Sequence, residues 1–280
     1  MKYSIYDKIK SLILSMRLKT TPLGVLCVFV GGLVAGASYN SVNLFLAMLT
    51  ALFVGSGAQT INDYFDRELD KITHPERPIP KGILKPNEML YFSILLLILG
   101  FFISIFINLL CVGIVVFSII MFIVYEKYSK KIGITGNITV AFVSALSFTY
   151  GGASVGNAIA SFILSLIAFF IMVGRELIMD IRDCEGDKVY RKTLPIQLGK
   201  KPALYVACIF LFIAVAMTPV PYILNMLNIW YLVLIVFVDI IALFIVFDML
   251  KDIKNVARAA SIIRIGFLIG LIAFILGAAI

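Results

Sequence analysis

Long apolar runs separated by short charged segments make up this chain. No Asp, Glu, Lys or Arg occurs in residues 20–62, 89–125, 132–174 or 202–238. A helix needs about 20 apolar residues to cross a bilayer, so each run accommodates two crossings joined by a tight turn, and residues 256–280 add one more. The expected helices lie near 22–38, 44–62, 89–107, 109–125, 134–153, 157–176, 203–219, 229–250 and 256–280. A membrane β-barrel would instead show segments of about ten residues alternating in hydrophobicity, and these runs are uniformly apolar. The pattern predicts an all-α polytopic membrane protein, a single domain over residues 1–280 with nine transmembrane helices.

Composition agrees, with 61% hydrophobic and 14% charged residues, where soluble domains carry roughly 25% charged. The charges in residues 1–20 argue against a cleavable signal peptide. Cys27, Cys111 and Cys208 lie in apolar runs and Cys184 in a charged one. None forms a CxxC or Cys/His pattern, so disulfides and zinc sites have no support.

The net charge of +8 changes meaning once it is placed. The Lys and Arg residues fall before the first helix and in the second, fourth, sixth and eighth connections, extending into the adjoining helix ends. The opposite turns, such as 39–43 and 151–157, have none. The positive-inside rule then puts the N-terminus and the charged loops in the cytoplasm and the C-terminus outside. The basic excess reads as topology, and nucleic acid is not an expected partner.

Most acidic residues lie in segments 62–88 and 175–202. Residues 62–70 read NDYFDRELD and residues 180–187 read DIRDCEGD, so Asp63, Asp66 and Asp70 repeat the spacing of Asp180, Asp183 and Asp187. Glu68, Lys71, Pro78, Ile79 and Gly82 match Glu185, Lys188, Pro195, Ile196 and Gly199 at the same offset. The repeat spans an even number of helices, so it is parallel: halves of about 20–131 and 132–254, each with four helices, plus a ninth helix. On a helix, residues three and four apart share a face. Clustered carboxylates repel one another unless a cation neutralises them, and magnesium held by carboxylates and substrate phosphates is the common solution. Arg67, Lys71, Arg77, Lys81 and Lys85, with Arg182, Lys188, Arg191 and Lys192, supply bases for phosphate oxygens. Acids for metal beside bases for phosphate indicate a diphosphate site at the membrane interface.

NDYFDRELD with HPERPIPKG, and GRELIMDIRDCEGD with KTLPIQLG, resemble the UbiA superfamily of intramembrane prenyltransferases over nearly the whole chain, including YEKYSKKIGITGN. Within it the RPIPKG and MDIRDCEGD versions are most similar to the archaeal ether-lipid branch, and chlorophyll synthases share RPIP. The resemblance implies a central cavity ringed by the nine helices and capped by the two acidic segments. It places the family's motifs on Asn62, Asp66 and Asp70 and on Asp183 and Asp187, with Asp63 and Asp180 as further metal candidates. Arg17 and Lys130, after Tyr125, match basic positions of the family, Lys130 imperfectly because the spacing varies there. The implied reaction is magnesium-dependent transfer of a geranylgeranyl group from its diphosphate to the free hydroxyl of geranylgeranylglyceryl phosphate, in contact with membrane lipids. An anionic acceptor suits the extra bases Lys127, Lys130, Lys131 and Arg182.

Glu176 shares a helix face with Asp180 and is expected at the site, with a pair to Arg175 as the rival role. Tyr125 and Tyr128 are the aromatic candidates beside a carbocation. Asp239, inside an apolar helix, serves a cavity or pairs with Arg264 or a neighbouring helix. His74, the only histidine, leaves little room for histidine chemistry. An aromatic or quinone-precursor acceptor and a tetrapyrrole acceptor remain alternatives. A secondary transporter is the non-enzyme alternative, although transporter sites lie near the bilayer midplane.

Overall fold

Each apolar run folds as a helical hairpin whose turn carries its own stop and start signals. The computed structural model describes residues 3–18, 20–187 and 192–278, with the side chains of Lys131 and Asp187 outside that description. A short helix α1 (Ile5–Ser15), capped by Ser4 and Asp7, precedes the first run. Helix α2 (Thr21–Val34) ends ahead of Gly36, which has φ +92°, and α3 (Val42–Phe65) restarts behind Ser41, whose hydroxyl accepts from the Leu44 N–H. Short α4 (Arg67–Thr73) follows directly. Helix α5 (Pro86–Ile105) is joined to α6 (Leu109–Lys127) by Asn108, which caps the Cys111 N–H, and α7 (Gly133–Ser154) is joined to α8 (Ala158–Asp187) through Gly156, at φ +84°. After α9 (Leu194–Leu198), α10 (Lys200–Met217) and α11 (Val220–Ile223), Asn228 caps α12 (Ile229–Lys251), and α13 (Val256–Ala278) closes the chain.

Among the described residues, a helix stands at each of the nine expected positions. Among the described residues, seven helical stretches are long and apolar enough to cross a membrane, covering α3, α5, α6, α8, α10 with α11, α12 and α13. Helix α2 is shorter, at 14 residues. The apolar run of helix α7 is interrupted by Asn137, Thr139, Ser144, Ser147, Thr149 and a Gly151–Gly152 pair. One of these polar positions is satisfied from α8: Ser165 Oγ bonds the Thr149 N–H and hydroxyl and donates to the Ala145 carbonyl.

One boundary differs from the sequence expectation. The helix expected to stop at 176 continues without a break to Asp187, because the carboxylates of DIRDCEGD recur at helical spacing and no breaker precedes Gly186. The second acidic motif is therefore an extension of a membrane helix and not a loop.

Helix α7 packs on α2, α6 and α8, while α3 packs on α5 and α2, and α8 on α10. The α2–α7 contact is close. A methyl on Gly31 would collide with the Phe148 carbonyl, and one on Gly151 with the Val28 carbonyl, the small-residue packing that lets membrane helices approach. Large apolar residues such as Ile94, Phe102, Phe237, Ile240 and Phe244 stay exposed on the outer faces, where a multi-pass membrane protein meets lipid.

Candidate functional site

The first acidic motif sits where α3 gives way to α4. Asn62 and Asp63 lie on the last turn of α3, Asp66 is the hinge residue between the helices, and α4 carries Asp70 inward, where it is 2% exposed. Each carboxylate is met by a base from elsewhere in the chain. Asp70 takes Arg77 Nη1 at 2.8 and 2.7 Å, and the same guanidinium lies 3.4 Å from Asp63. Asp63 also accepts from Arg17 Nη2 at 2.7 Å. Arg17 has φ +50°, a left-handed conformation uncommon for a residue with a side chain. It sits in the turn between α1 and α2, from which its guanidinium reaches Asp63. Burial pushes the Asp70 carboxyl above the usual carboxylate range, against the pull of Arg77 and aided by the charges of Asp66 and Asp63.

Asp66 accepts from Lys130 Nζ at 2.6 Å, and Lys130 also reaches Glu126 Oε2 at 3.0 Å. Asn62 Nδ2 donates to Glu126 Oε1 at 2.8 Å and to Asp66 Oδ2 at 3.3 Å. Lys130 stands 5.8 Å from the centre of the Tyr125 ring, within cation–π range.

The second motif approaches the same lysine from α8. Asp180 accepts from Asn137 Nδ2, on the first turns of α7, at 2.8 Å. Lys130, Tyr125, Asn137, Glu176, Asp180 and Thr193 line one polar cavity of about 30 Å³. Among the described residues the buried Thr193 hydroxyl has no hydrogen-bond partner, which suits a polar ligand. Glu176 also pairs with Arg175 at 2.6 Å.

The fold thus brings Arg17, Asn62, Asp63, Asp66, Asp70, Arg77, Tyr125, Lys130, Glu176 and Asp180 to one end of the bundle. Arg67, next to Asp66 at the head of α4, turns its side chain away from this cluster. Its guanidinium bonds the Tyr64 carbonyl at 2.9 Å and lies over the Tyr64 ring. Lys81 and Lys127 are exposed. Asp183 is exposed and held bidentately by its neighbour Arg182 at 2.7 Å. The Asp187 side chain and Lys188 lie outside the described residues. Among the described residues, no three of His, Cys, Asp and Glu converge closely enough to hold a metal ion by themselves. Three site residues had no assigned role from sequence: Glu126, Asn137 and Thr193. The first two stand in the YEKYSKKIGITGN segment, and Glu126 is its only acid.

A second cavity, of about 80 Å³, lies among α7, α8, α10, α12 and α13 and is lined almost wholly by apolar residues, Leu164, Ile235 and Phe274 among them. Asp239 borders it and accepts from the Thr218 hydroxyl at 2.6 Å. Arg264 is exposed, so the partner is the neighbouring helix end and not that arginine.

Comparison with known proteins accords with this geometry. Residues 24–277 match the UbiA prenyltransferase family. A digeranylgeranylglyceryl phosphate synthase of Methanococcus maripaludis is 35% identical over 269 residues, covering 91% of this chain and 95% of that protein. A solved structure concerning digeranylgeranylglyceryl phosphate synthase in membranes superposes with a TM-score of 0.85 at 34% identity, over 97% of this chain and 99% of the other. A UbiA homologue from Archaeoglobus fulgidus, solved with GPP and Mg2+ bound, shares the fold, with a TM-score of 0.70 at 21% identity over 94% and 99% of the two chains. A match over nearly the whole length, on a helical bundle with paired acidic motifs at one end, shows that this chain belongs to the UbiA prenyltransferase family.

Proposed function

We propose that the protein transfers a geranylgeranyl group from geranylgeranyl diphosphate to the free hydroxyl of geranylgeranylglyceryl phosphate, forming the second ether bond of an archaeal membrane lipid and releasing pyrophosphate. The observation that carries this reading is Lys130, which touches the first acidic motif and lines the cavity of the second. A diphosphate between the motifs would meet that ammonium from either side. The choice of acceptor rests on the similarity to digeranylgeranylglyceryl phosphate synthases.

The donor set fits magnesium. The motifs offer hard carboxylate oxygens one or two at a time, and magnesium is usually bound by one or two carboxylates with substrate phosphates completing its shell. Asp63, Asp66 and Asp70 on one side and Asp180, Asp183 and Asp187 on the other would hold it, and it would neutralise charge on the leaving pyrophosphate. In this reading Arg17, Arg77 and Lys130 exchange part of their carboxylate contacts for phosphate oxygens, with Arg182 and Lys188 serving from the second motif. Such preorganised cations act most strongly where charge develops. The allylic carbon–oxygen bond breaks with its electron pair going to pyrophosphate, the acceptor hydroxyl oxygen bonds the allylic carbon, and the hydroxyl proton passes to pyrophosphate. The Tyr125 ring, which lines the polar cavity, would stand beside the developing positive charge, and the surrounding apolar helices would keep water from the cation.

In the membrane, the nine long helices would all cross, with the N-terminus and the site cytoplasmic and the C-terminus outside. The two halves are treated as a parallel repeat. In support, a side chain just ahead of the first half or on the first turns of the second holds the first aspartate of the motif that follows it: Arg17 for Asp63 and Asn137 for Asp180.

The test supplies purified protein with geranylgeranyl diphosphate, Mg2+ and one acceptor at a time: geranylgeranylglyceryl phosphate, 4-hydroxybenzoate, a naphthoate or a chlorophyllide. Product only with the lipid phosphate is expected. Product only with an aromatic acid or a tetrapyrrole would replace the acceptor assignment.

A further inference from the structure

Glu126 is a buried carboxylate that the proposed reaction has not used, with its side chain 5% exposed on the last turn of α6. It closes a ring of four hydrogen bonds. Its Oε1 accepts from Asn62 Nδ2 at 2.8 Å, Asn62 Nδ2 also donates to Asp66 Oδ2 at 3.3 Å, Lys130 Nζ donates to Asp66 Oδ2 at 2.6 Å, and the same Nζ donates to Glu126 Oε2 at 3.0 Å. The ring ties the end of α3 to the end of α6 and the connection behind it.

The ring determines two orientations. Asn62 donates with Nδ2 to both carboxylates, so its Oδ1 must face the other way, where Arg17 Nη2 comes within 3.4 Å. An asparagine amide is oriented only by its network, and a flipped amide would set its oxygen against two carboxylates. Lys130 carries one positive charge between two carboxylates. Once Asp66 binds a cation, that cation repels the ammonium, and Glu126, four residues from Lys130, remains as its counter-ion.

We infer that Glu126 is a positioning residue: it holds Lys130 and the Asn62 amide in place for the diphosphate while Asp66 is engaged elsewhere. The inference rests on the diphosphate reading above. Glu126 touches no substrate in it and acts through its two neighbours.

Glu126→Gln tests this with little change of shape. The glutamine carbonyl still accepts from Asn62, but its amide presents a second donor, with no negative charge, to Lys130. The expected result is a rise of about tenfold or more in KM for the prenyl diphosphate with KM for the acceptor unchanged. Placed in a Lys130→Met background, Glu126→Gln should add less than about twofold, because residues acting as one unit are not additive. A donor KM within twofold of wild type, or a tenfold effect that persists in full in the Lys130→Met background, overturns the inference. If the wild type turns over none of the acceptors, the substrate reading fails by itself. Calorimetric binding of magnesium pyrophosphate then decides: weaker binding by Glu126→Gln supports the positioning role, and equal binding overturns it.

Discussion

Lys130 Nζ stands 2.6 Å from Asp66 Oδ2, with only 7% of the lysine side chain exposed. The aspartate ends α3 and the lysine follows α6, and the same lysine borders the cavity beside Asp180. One buried cation therefore pairs with the first acidic motif and borders the cavity of the second.

Lys130→Met removes that cation while keeping much of its length. Loss of one preorganised charge at a developing anion costs about 100-fold to 1,000-fold in rate, and a fall of that size is expected in single-turnover transfer. A fall below tenfold would mean that other bases carry the diphosphate.

Asp70 links stability to pH. Its folded-state pKa is raised above the ordinary 3.8, chiefly by burial. The folded protein therefore binds the proton more tightly than the unfolded chain does. That contribution is fully present below pH 3.8 and is lost as pH rises through the folded value. At neutral pH in metal-free buffer the ionised carboxylate costs stability, so Asp70→Asn is expected to melt at or above wild type while transfer is abolished. Melting curves in one detergent across pH 4–8 check the sign, and a mutant that melts lower than wild type at neutral pH contradicts it.

Asn137→Leu deletes the hydrogen bond to Asp180 from a residue without charge. A hydrogen bond to a charged group contributes about 1.5–3 kcal/mol, so kcat/KM should fall by roughly tenfold or more. Asn137→Gln, which can restore the donor, should recover part of the loss.

Gly151→Ala forces α2 and α7 apart, because the added methyl meets the Val28 carbonyl. Overpacking of this kind costs about 1–3 kcal/mol, visible as a lowered Tm. Gly113→Ala is the control, since a Cβ there meets nothing within 4 Å, and its Tm should not fall.

Much of this protein is legible along the chain because the relevant information is local. Charge-free runs of fixed length become hairpins, Ser41, Asn108 and Asn228 cap the returning helices, and the spacing of Asp63, Asp66 and Asp70 recurs at Asp180, Asp183 and Asp187. Those features alone determined the helical class, the charged end of the bundle and the two acidic motifs of the sequence. They did not separate Arg77, which binds Asp70, from Arg67, which turns back on Tyr64. Nor did they single out Glu126, Asn137 and Thr193. Helices this uniformly apolar carry no stripe to say which neighbour they face, so the partners of a polar residue follow only from how the helices pack. Tertiary structure alone put Lys130 beside Asp66, 64 residues away, and Asn137 beside Asp180, 43 residues away. The reason is physical: once these charges are taken out of water they must be satisfied by one another, and only the packed bundle determines which pairs can meet.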